Sequence, residues 1–511
     1  MEARFLNAVR LVATLVLLGL SFTSAFAQTG YELWPQGIID YSFGRDVAIE
    51  GTTAVILGGA PVRHPVFNSD VGSIDIYRFD GSDWVFSQNV ISNDPIYWNK
   101  IGGSVDLSGG LIAIGTPATA KGAALLFNYD GSEWIEDVRL ASNAPQSFPD
   151  QFGNNVSLSG DLMVAGDTDH QNPFDPQALN QFAFVFRWNG SSWSLEDSLS
   201  AADATSGTAF GTSVDVAPDV IVVGDPLFSF SAGTSREGAA YVYEFDGSAW
   251  TQAQQLSAGT DQIRDARFGT SVATDGNTIV VGAVRDSVGG AVHAGAAYVF
   301  RNVSGTWTLT QRLAPSVPDE YANFGASVSV SGDYLIVGAP ADTRFPNSGG
   351  SAYFYRFDGN SWVLRTRLAL PDGVQNDRYG ADVDVDADWA IVGAPGRSSG
   401  QWSPGATYIY ATPTLVATDD EADVERTVSL SAYPNPFSDR ATINFDLPQT
   451  EYVNVGVYDV LGRRVVSIID ARLAAGKHEY AFSATDLADG VYLIRMRAEA
   501  GLVTKTVVLL R

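Results

Sequence analysis

Residues 324–368 have the sequence FGASVSVSGDYLIVGAPADTRFPNSGGSAYFYRFDGNSWVLRTRL. Serine and valine alternate over 327–330, which is typical of a strand with one buried face, and the apolar run 335–338 is typical of a strand buried on both faces. Two further strand patterns follow a variable loop, and Asp358-Gly359 between them suits a tight hairpin turn. The stretch therefore predicts four short antiparallel strands in succession.

The same pattern occurs seven times before residue 411, and each copy begins with an aromatic residue or isoleucine followed by glycine. These pairs are Phe43-Gly44, Ile101-Gly102, Phe152-Gly153, Phe210-Gly211, Phe268-Gly269, Phe324-Gly325 and Tyr379-Gly380. Successive pairs are 58, 51, 58, 58, 56 and 55 residues apart. A regular period of this size predicts a repeat architecture. We predict an all-β chain with a seven-bladed β-propeller of four-stranded blades over residues 28–410.

The seventh copy lacks the fourth strand, because Tyr410 is followed directly by Ala411-Thr412-Pro413. Leu33 lies 10 residues before Phe43, close to the spacing of 11 or 12 residues between the fourth-strand leucine and the next anchor in other copies. We predict that residues near 29–34 complete the last blade. Joining the two ends in this way closes the ring and leaves no open sheet edge.

The FG…VGAP…GaaYvY…DG..W pattern resembles the FG-GAP repeat, a seven-bladed propeller family also found in integrin α-chains. The resemblance covers residues 31–410 and is strongest in copies five and six. Many family members hold calcium in an Asp-x-Asp-x-Asp-Gly loop between the first two strands. Here that connection is a short turn such as 331–333, which cannot surround a cation with six or more oxygens. We predict no cofactor, because the family's calcium loop is absent.

Four aspartates alternate in the seventh copy, namely Asp382, Asp384, Asp386 and Asp388. In a strand this spacing places the carboxylates on one face, where they either bind a cation or repel one another. The position of Asp384 is also polar in other copies, where it is occupied by Asp106, Asp215 and Ser329. The polar face is therefore a property of the repeat.

Connections within a copy are short between strands one and two and between strands three and four, and long elsewhere. Because strand direction alternates, the long connections share one face of the propeller, here called the long-loop face, and the short ones share the opposite, tight-turn face. Binding residues concentrate on loops held by a rigid scaffold, so the long-loop face is the predicted ligand surface. The candidates are Trp98, Asp167, Asp169, His170, Arg236, Arg267, Arg344 and Trp402, with His64, Phe67, Tyr97, Phe228, Arg264, Arg285 and Arg397 as further residues of this face.

Trp98 and Trp402 either stack on a sugar or a protein side chain, or pack against neighbouring loops. The sequence has no Gly-x-Ser-x-Gly elbow and no phosphate-binding loop, and its four histidines show no metal-ligand spacing. Residues 28–410 contain 19 Lys and Arg against 43 Asp and Glu. This charge repels phosphate backbones, so we predict no nucleic-acid partner and instead an unknown protein or glycan ligand.

Residues 1–27 predict a secretory signal peptide, with Arg4 and Arg10 before an apolar run over 11–20 and the small-x-small site Ala25-Phe26-Ala27. An N-terminal membrane anchor is the weaker interpretation, because the run is shorter than a membrane span. We expect no transmembrane anchor after signal removal. The chain has no cysteine, which excludes disulfides.

Residues 411–428 are polar and acidic and predict a linker, and residues 429–511 have the strand pattern of a small β-sandwich. Their motifs resemble the C-terminal sorting domain of type IX secretion, and the residues that carry this resemblance include Pro434, Asn435, Pro436, Gly490, Tyr492 and Lys505. The resemblance implies the type IX machinery as a partner, passage through the periplasm, and a secreted or surface-attached product. An ordinary ligand-binding sandwich is the alternative.

Together these features predict an exported, non-catalytic propeller that serves as an adhesion or recognition module at the cell surface. Two other functions fit the same sequence. One is a secreted glycan-degrading enzyme whose carboxylates converge from several blades, and the other is a structural surface-layer protein.

Overall fold

The computed structural model of the chain describes most of the predicted propeller and much of the C-terminal region. The described residues are 30–35, 42–63, 70–91, 103–117, 122–141, 152–168, 181–203, 208–230, 235–259, 263–343, 349–398, 403–416, 430–433, 437–447, 451–458, 464–474, 476–484, 487, 490–498 and 501–510. Strands dominate these ranges and pair antiparallel in nine sheets. The predicted signal peptide lies outside them.

The strands of the propeller are short and closely spaced. In chain order they are β1 (Tyr31–Leu33), β2 (Val47–Glu50), β3 (Thr53–Arg63), β4 (Asp70–Phe79), β5 (Trp84–Val90), β6 (Val105–Ser108), β7 (Leu111–Gly115), β8 (Ala124–Tyr129), β9 (Trp134–Leu140), β10 (Val156–Ser159), β11 (Leu162–Asp167), β12 (Phe182–Trp188), β13 (Trp193–Leu199), β14 (Ser213–Ala217), β15 (Val220–Asp225), β16 (Ala239–Phe245), β17 (Trp250–Leu256), β18 (Phe268–Thr274), β19 (Thr278–Ala283), β20 (Ala296–Val303), β21 (Thr306–Leu313), β22 (Val328–Ser331), β23 (Tyr334–Ala339), β24 (Ser351–Phe357), β25 (Trp362–Leu368), β26 (Val383–Val385), β27 (Trp389–Ala394) and β28 (Ala406–Ala411).

These strands form seven four-stranded sheets. Six sheets take consecutive strands from β2–β5 to β22–β25, and the seventh has the order β1-β28-β27-β26. The first strand of each sheet contacts the first strand of the next, and β26 contacts β2. The inner strands therefore form a closed ring around a central channel, with one sheet as each blade. The predicted seven-bladed propeller is confirmed.

The last blade combines the two ends of the propeller, as the sequence predicts. Strand β1 pairs antiparallel with β28, with Tyr31 opposite Ile409 and Leu33 opposite Thr407. Leu33 is buried in the same hydrophobic cluster as Phe43 of the first blade. The outer strand of blade seven thus comes from the N-terminal side of blade one, which ties the ring shut.

The core lies between the blades. Seven hydrophobic clusters in the described part of the propeller each join residues of two neighbouring blades. The apolar second strand of a blade has buried side chains on both of its faces. In β23, for example, Leu335 and Val337 belong to one cluster and Ile336 belongs to another. Burial on both faces explains why these strands lack an alternating pattern.

The aromatic-glycine anchor fixes how closely two blades approach. Phe324 is fully buried, and Gly325 adopts a φ of 87° and donates its N–H to Gly338 O at 2.9 Å. Gly338 in turn lies against the next anchor, because a Cβ at Gly338 would lie 2.1 Å from Gly380 O. The same backbone contact recurs for Gly115 with Gly153, Gly166 with Gly211, Gly224 with Gly269, Gly282 with Gly325, and Gly393 with Gly44.

The hairpin turns use the Asp-Gly pair differently from the sequence prediction. Only the glycine takes a positive φ, as at Gly359 with 96°. The Asp358 carboxylate instead accepts the N–H groups of Asn360 and Ser361, each at 2.8 Å, in an Asx turn. These hydrogen bonds lower the pKa of Asp358.

Two segments differ from their predicted assignments. In blade one, β3 extends to Arg63 and β4 begins at Asp70, so both strands reach into the connection that the sequence predicts to be a long loop. Residues Thr412–Val416, predicted as linker, form a short helix, α1, whose Leu415 is buried against the last blade. The apolar side chain of Leu415 accounts for this docking.

The C-terminal region forms two sheets. Their strands are β29 (Leu430–Tyr433), β30 (Arg440–Leu447), β31 (Glu451–Tyr458), β32 (Arg464–Leu473), β33 (Gly476–Ser483), β34 (Gly490–Ala498) and β35 (Gly501–Leu509). Sheet β29-β30-β33 and sheet β32-β31-β34-β35 share one hydrophobic core. The predicted sandwich is observed.

Replacing Gly338 by alanine should destabilise the propeller strongly, because the new methyl group would overlap the carbonyl of Gly380. We expect the free energy of unfolding to fall by about 3 kcal/mol or more. The matched control is Gly332→Ala, since Gly332 has a φ of 58° but open space around its Cβ position. That control should lose only about 1–2 kcal/mol, and equal losses in denaturant titrations would contradict the proposed close approach.

Candidate functional site

Part of the predicted ligand face lies outside the described residues. This applies to Trp98, Asp169, His170, Arg344 and Trp402, and in the C-terminal region to Pro434, Asn435 and Pro436. Of the remaining candidates, Asp167 is the last residue of β11 and is buried, whereas Arg236 is exposed and Arg267 is half-buried.

The central channel encloses a cavity of about 570 Å³. The inner strands line it, and the half-buried aspartates of its wall include Asp46, Asp106, Asp215, Asp382 and Asp384. They are the polar residues of the alternating pattern. The alternation in the sequence predicts this polar face, but it does not show that the face lines the channel.

The channel carboxylates bind backbone amides of the next blade. Asp106 accepts the N–H of Leu158 at 2.6 Å, and Asp215 accepts that of Thr274 at 2.6 Å. Serines serve the same purpose elsewhere, as Ser104 does for Val156 at 2.8 Å. The first strand of a blade has no hydrogen-bonded neighbour strand on its channel side, so these side chains satisfy amides that would otherwise be buried without partners.

The alternating aspartates of blade seven close this hydrogen-bonded ring. Asp382 accepts the N–H of Val47 and Asp384 that of Ile49, both at 2.8 Å, and Asp386 accepts that of Gly51 at 2.5 Å. Among the described residues, no three acidic or histidine side chains come together as metal ligands. The structure thus gives these aspartates a role that neither sequence alternative included.

Burial raises the pKa of the channel carboxylates. The pKa of Asp106 rises to about 7, through burial and the charge of Asp215, and that of Asp384 to about 7, mainly through burial. Burial raises the pKa of Asp215 and Asp382 to about 6. The pKa of Asp46 rises well above its usual value through burial and the negative charge of Asp382. The channel therefore holds protons near neutral pH.

On the long-loop face, loops of neighbouring blades pair through their backbones. Asp265 donates its N–H to Ser235 O at 2.6 Å, and Phe268 donates to Glu237 O at 2.9 Å. Between them, Arg267 donates to Arg236 O at 3.4 Å. These bonds bring together the loop before β16 and the loop before β18, so the structure places the two predicted residues Arg236 and Arg267 side by side.

Both arginines have left-handed backbone conformations, with φ of 50° at Arg236 and 56° at Arg267. Such conformations are uncommon for residues other than glycine. They are held here by the loop pairing, and in Arg267 by Thr270, whose hydroxyl donates to Arg267 O at 2.7 Å. The loops are therefore fixed platforms for their side chains.

Four arginines share this place at the junction of blades four and five: Arg236, Arg264, Arg267 and Arg285. Asp265 binds Arg285 at 2.6 Å and lies 3.6 Å from Arg267. Burial opposes ionisation of Asp265, but these arginines outweigh it and lower its pKa. Arg285 is held in place because its own N–H donates to Ala266 O at 3.0 Å. The group is a basic patch in an acidic propeller.

Three buried polar atoms of this patch have no hydrogen-bond partner among the described residues. They are Ser235 Oγ, Glu237 Oε2 and Arg267 Nε. Buried polar atoms are usually satisfied, so a cluster of three unsatisfied ones at a single junction is unusual. The sequence analysis missed Ser235 and Glu237. Ser235 and Glu237 lie between strands two and three of blade four, whereas Arg267 lies in the connection to blade five, so no local sequence pattern places them together.

Comparison with known proteins agrees with this architecture. The FG-GAP repeat family model matches residues 193–243, 250–300, 307–355 and 362–410, and the secretion system C-terminal sorting domain matches residues 431–510. The chain thus contains four FG-GAP repeats and a C-terminal sorting domain. Each FG-GAP match runs from the fourth strand of one blade to the third strand of the next. The matches thus cross a blade junction, where the glycine contacts occur.

Solved structures match this chain at low similarity. A protein from Lactobacillus plantarum is 12% identical with a TM-score of 0.42, over 84% of this chain and 99% of its own. A putative 6-phosphogluconolactonase from Bacteroides fragilis is 10% identical with a TM-score of 0.42, over 84% and 98%. An acylaminoacyl peptidase from Pyrococcus horikoshii is 10% identical with a TM-score of 0.43, over 80% and 58%. These likenesses assign no function, and no curated protein sequence matches significantly.

The sorting domain directs the protein through type IX secretion to the cell surface or the extracellular space. Of its predicted motif residues, Gly490 begins β34, Tyr492 is buried in the sandwich core, and Lys505 is exposed on β35. Tyr492 therefore serves the fold, and Lys505 faces outward. None of the described helices is long and apolar enough to cross a membrane.

The channel predicts an unusual pH dependence of stability. The folded pKa of Asp384, about 7, exceeds the ordinary value of 3.8, so the folded protein holds this proton more tightly than the unfolded chain. The stability that this carboxyl group contributes is fully present below its pKa in the unfolded chain. It is lost as the pH rises through the pKa of the group in the folded protein. Between about pH 5 and 8, the thermal midpoint of the mature protein should therefore fall.

The variant Asp384→Asn should flatten this pH dependence and stabilise the protein at pH 8 by on the order of 1–3 kcal/mol. An asparagine keeps an oxygen for Ile49 N–H and offers its amide to Ser329 Oγ, which now donates to Asp384 at 2.7 Å. Asp333→Asn, at an exposed turn, is the control. A variant whose thermal midpoints follow the parent at every pH would refute the channel's role.

Proposed function

We propose that the protein is a non-catalytic recognition module, displayed at the cell surface or released, that binds its ligand through the long-loop face. The observation that carries this proposal is the basic patch formed by loops of blades four and five. Its arginines stand on loops with fixed backbones, and three of its buried polar atoms form no hydrogen bond with the described residues. Rigid loops of this kind bind without a large entropic cost of ordering.

The chemistry of the patch favours a ligand with carboxylate or sulfate groups. Arg236 and Arg264 are exposed, and arginine pairs with such groups through two parallel hydrogen bonds. Glu237 and Ser235 offer acceptors for hydroxyl groups beside them. Phe230 is 40% exposed and lies next to Ser229, whose hydroxyl accepts Arg236 N–H at 2.9 Å. An acidic glycan would use all of these groups.

A non-catalytic role is supported by what the channel acids do. Residues such as Asp106 and Asp384 have the raised pKa that general acids need. Each carboxylate, however, accepts a backbone amide of the neighbouring blade, as Asp106 does from Leu158 and Asp384 from Ile49. These bonds favour a structural role for the acids over a glycan-degrading one.

The test is binding of the mature protein to arrays that carry uronate, sulfated and neutral glycans beside extracellular proteins. We expect binding to an acidic ligand, weakened at least about tenfold by Arg236→Gln with Arg264→Gln, because a hydrogen bond to a charged group contributes about 1.5–3 kcal/mol. Arg356→Gln, close to the tight-turn end of β24, is a single-charge control and should bind normally. Turnover of a glycan without stable binding would contradict the proposal.

A further inference from the structure

A second cavity, of about 340 Å³, lies on the tight-turn face between blades two and three. Asn128 and Asp137 line it from blade two, and Asp161, Trp188 and Trp193 line it from blade three. Trp188 and Trp193 flank the turn between β12 and β13, and Asp161 lies in the turn between β10 and β11. This groove is on the side opposite the basic patch.

At three other junctions an arginine fills the corresponding space. Arg78 stacks on Tyr129 with 4.3 Å from guanidinium carbon to ring centroid, Arg187 on Phe245 with 5.1 Å, and Arg301 on Phe357 with 4.4 Å. In each case the arginine belongs to the third strand of one blade and the ring to the next blade. In the same repeat positions, the junction of blades two and three has Asn128 and Trp188. Asparagine is shorter than arginine and uncharged, so Asn128 cannot place a cation on the ring of Trp188.

A second inter-blade connection is also missing at this junction. The side-chain amide of Gln88 pairs with both the N–H and the carbonyl of Trp134, at 2.7 and 2.9 Å. The same double hydrogen bond joins Gln254 to Trp307 and Gln311 to Trp362. Blade two has Val138 at this position, which offers no hydrogen bond to Trp193. The loss of both connections explains why a groove opens here.

The two tryptophans are correspondingly accessible. The fourth-strand tryptophans of the other blades, Trp84, Trp134, Trp250, Trp307 and Trp362, are between 2% and 6% exposed. Trp193 is instead half-buried, and Trp188 is 36% exposed. Exposed aromatic rings in a groove are characteristic of a binding site.

Two carboxylates give the groove its charge. Asp137 is exposed, and its carboxylate forms no hydrogen bond or ion pair with the described residues. Asp161 is 56% exposed and has one ion pair, to Arg187 at 3.3 Å. An indole ring attracts cations more strongly than the phenyl and phenol rings at the other junctions. Ring and carboxylates together therefore complement a planar cation.

We propose that this groove binds the guanidinium group of an arginine presented by a basic partner protein. The bound arginine takes the place that Arg78, Arg187 and Arg301 occupy at their own junctions, stacks on Trp188 and pairs with Asp137 and Asp161. A neutral sugar would also stack on tryptophan. The two carboxylates favour a cation over a neutral sugar, and so do the arginines that fill the corresponding space at three other junctions. The site is independent of the long-loop face, so either can fail without the other.

The test uses the mature full-length protein and a fluorescein-labelled tetra-arginine peptide, with binding followed by anisotropy at about 150 mM salt, where distant charges are screened. Trp188→Ala removes the ring, and Asn128→Arg fills the groove from within as at the other junctions. Both should weaken binding at least about tenfold, the scale of a desolvated cation–π contact. Asn360→Arg adds the same charge at the exposed turn of blade six and should change binding less than about twofold.

If Trp188→Ala impairs folding, Asn128→Arg still tests the proposal, because it copies the arginine-on-ring stacking that the protein already has at three other junctions. The thermal midpoint of each variant verifies its fold. Equal peptide affinity of Asn128→Arg and Asn360→Arg would overturn the proposal. The proposal would also be overturned if a neutral glucose hexasaccharide quenched the tryptophan fluorescence of the parent but not that of Trp188→Ala, and the arginine peptide did not quench the fluorescence of the parent.

Discussion

The approach of one glycine to the backbone carbonyl of the next blade is the contact on which the propeller depends. At Gly338 a single added carbon would lie 2.1 Å from Gly380 O, and Gly393 meets Gly44 in the same way where the last blade joins the first. No side chain can be accommodated at this distance. The glycines of the repeat therefore set the spacing of the blades, and the buried anchor rings such as Phe324 fill the space that this spacing leaves.

Because the blades approach so closely at this point, their inner strands lie side by side without being hydrogen-bonded as a sheet. Polar side chains make the connection instead, as Asp106 does for Leu158 and Asp384 for Ile49. The same carboxylates are half-buried in the channel, and desolvation raises their pKa. Because the backbone amides need hydrogen-bond acceptors, the channel has a composition that resembles an acidic active site. The hydrogen bonds to the next blade favour a structural role of these carboxylates over a catalytic one.

The sequence predicted the repeat, the seven blades and the completion of blade seven by residues near 29–34, because glycine, valine and tryptophan recur at fixed intervals. It did not predict where the alternating aspartates point, since alternation assigns residues to one face of a strand without showing what that face meets. It identified Arg236 and Arg267 as residues of one loop face. Their direct pairing depends on contacts between residues 31 positions apart, which no local pattern contains.

The groove between blades two and three was missed for a different reason. Asn128, Val138 and Trp188 are ordinary residues when read singly, and they become informative only beside the arginine, glutamine and smaller aromatic residues of the other copies. Once the structure shows what those residues connect, the substitutions mark a junction that is no longer filled. Differences between copies, rather than the shared motif, hold the information about binding in this repeat protein.

Native-state hydrogen exchange of the mature protein tests the closed ring most directly. In the described part of the chain, the amides of Val47, Ile49 and Gly51 donate to aspartates of blade seven, some 335 residues away in the chain. The account predicts that they exchange as slowly as the amides of Val383 and Val385, which Ser327 and Ser329 bind within the ring. Exchange at these three amides that is orders of magnitude faster would show that the ring opens between blades seven and one, and would contradict the account.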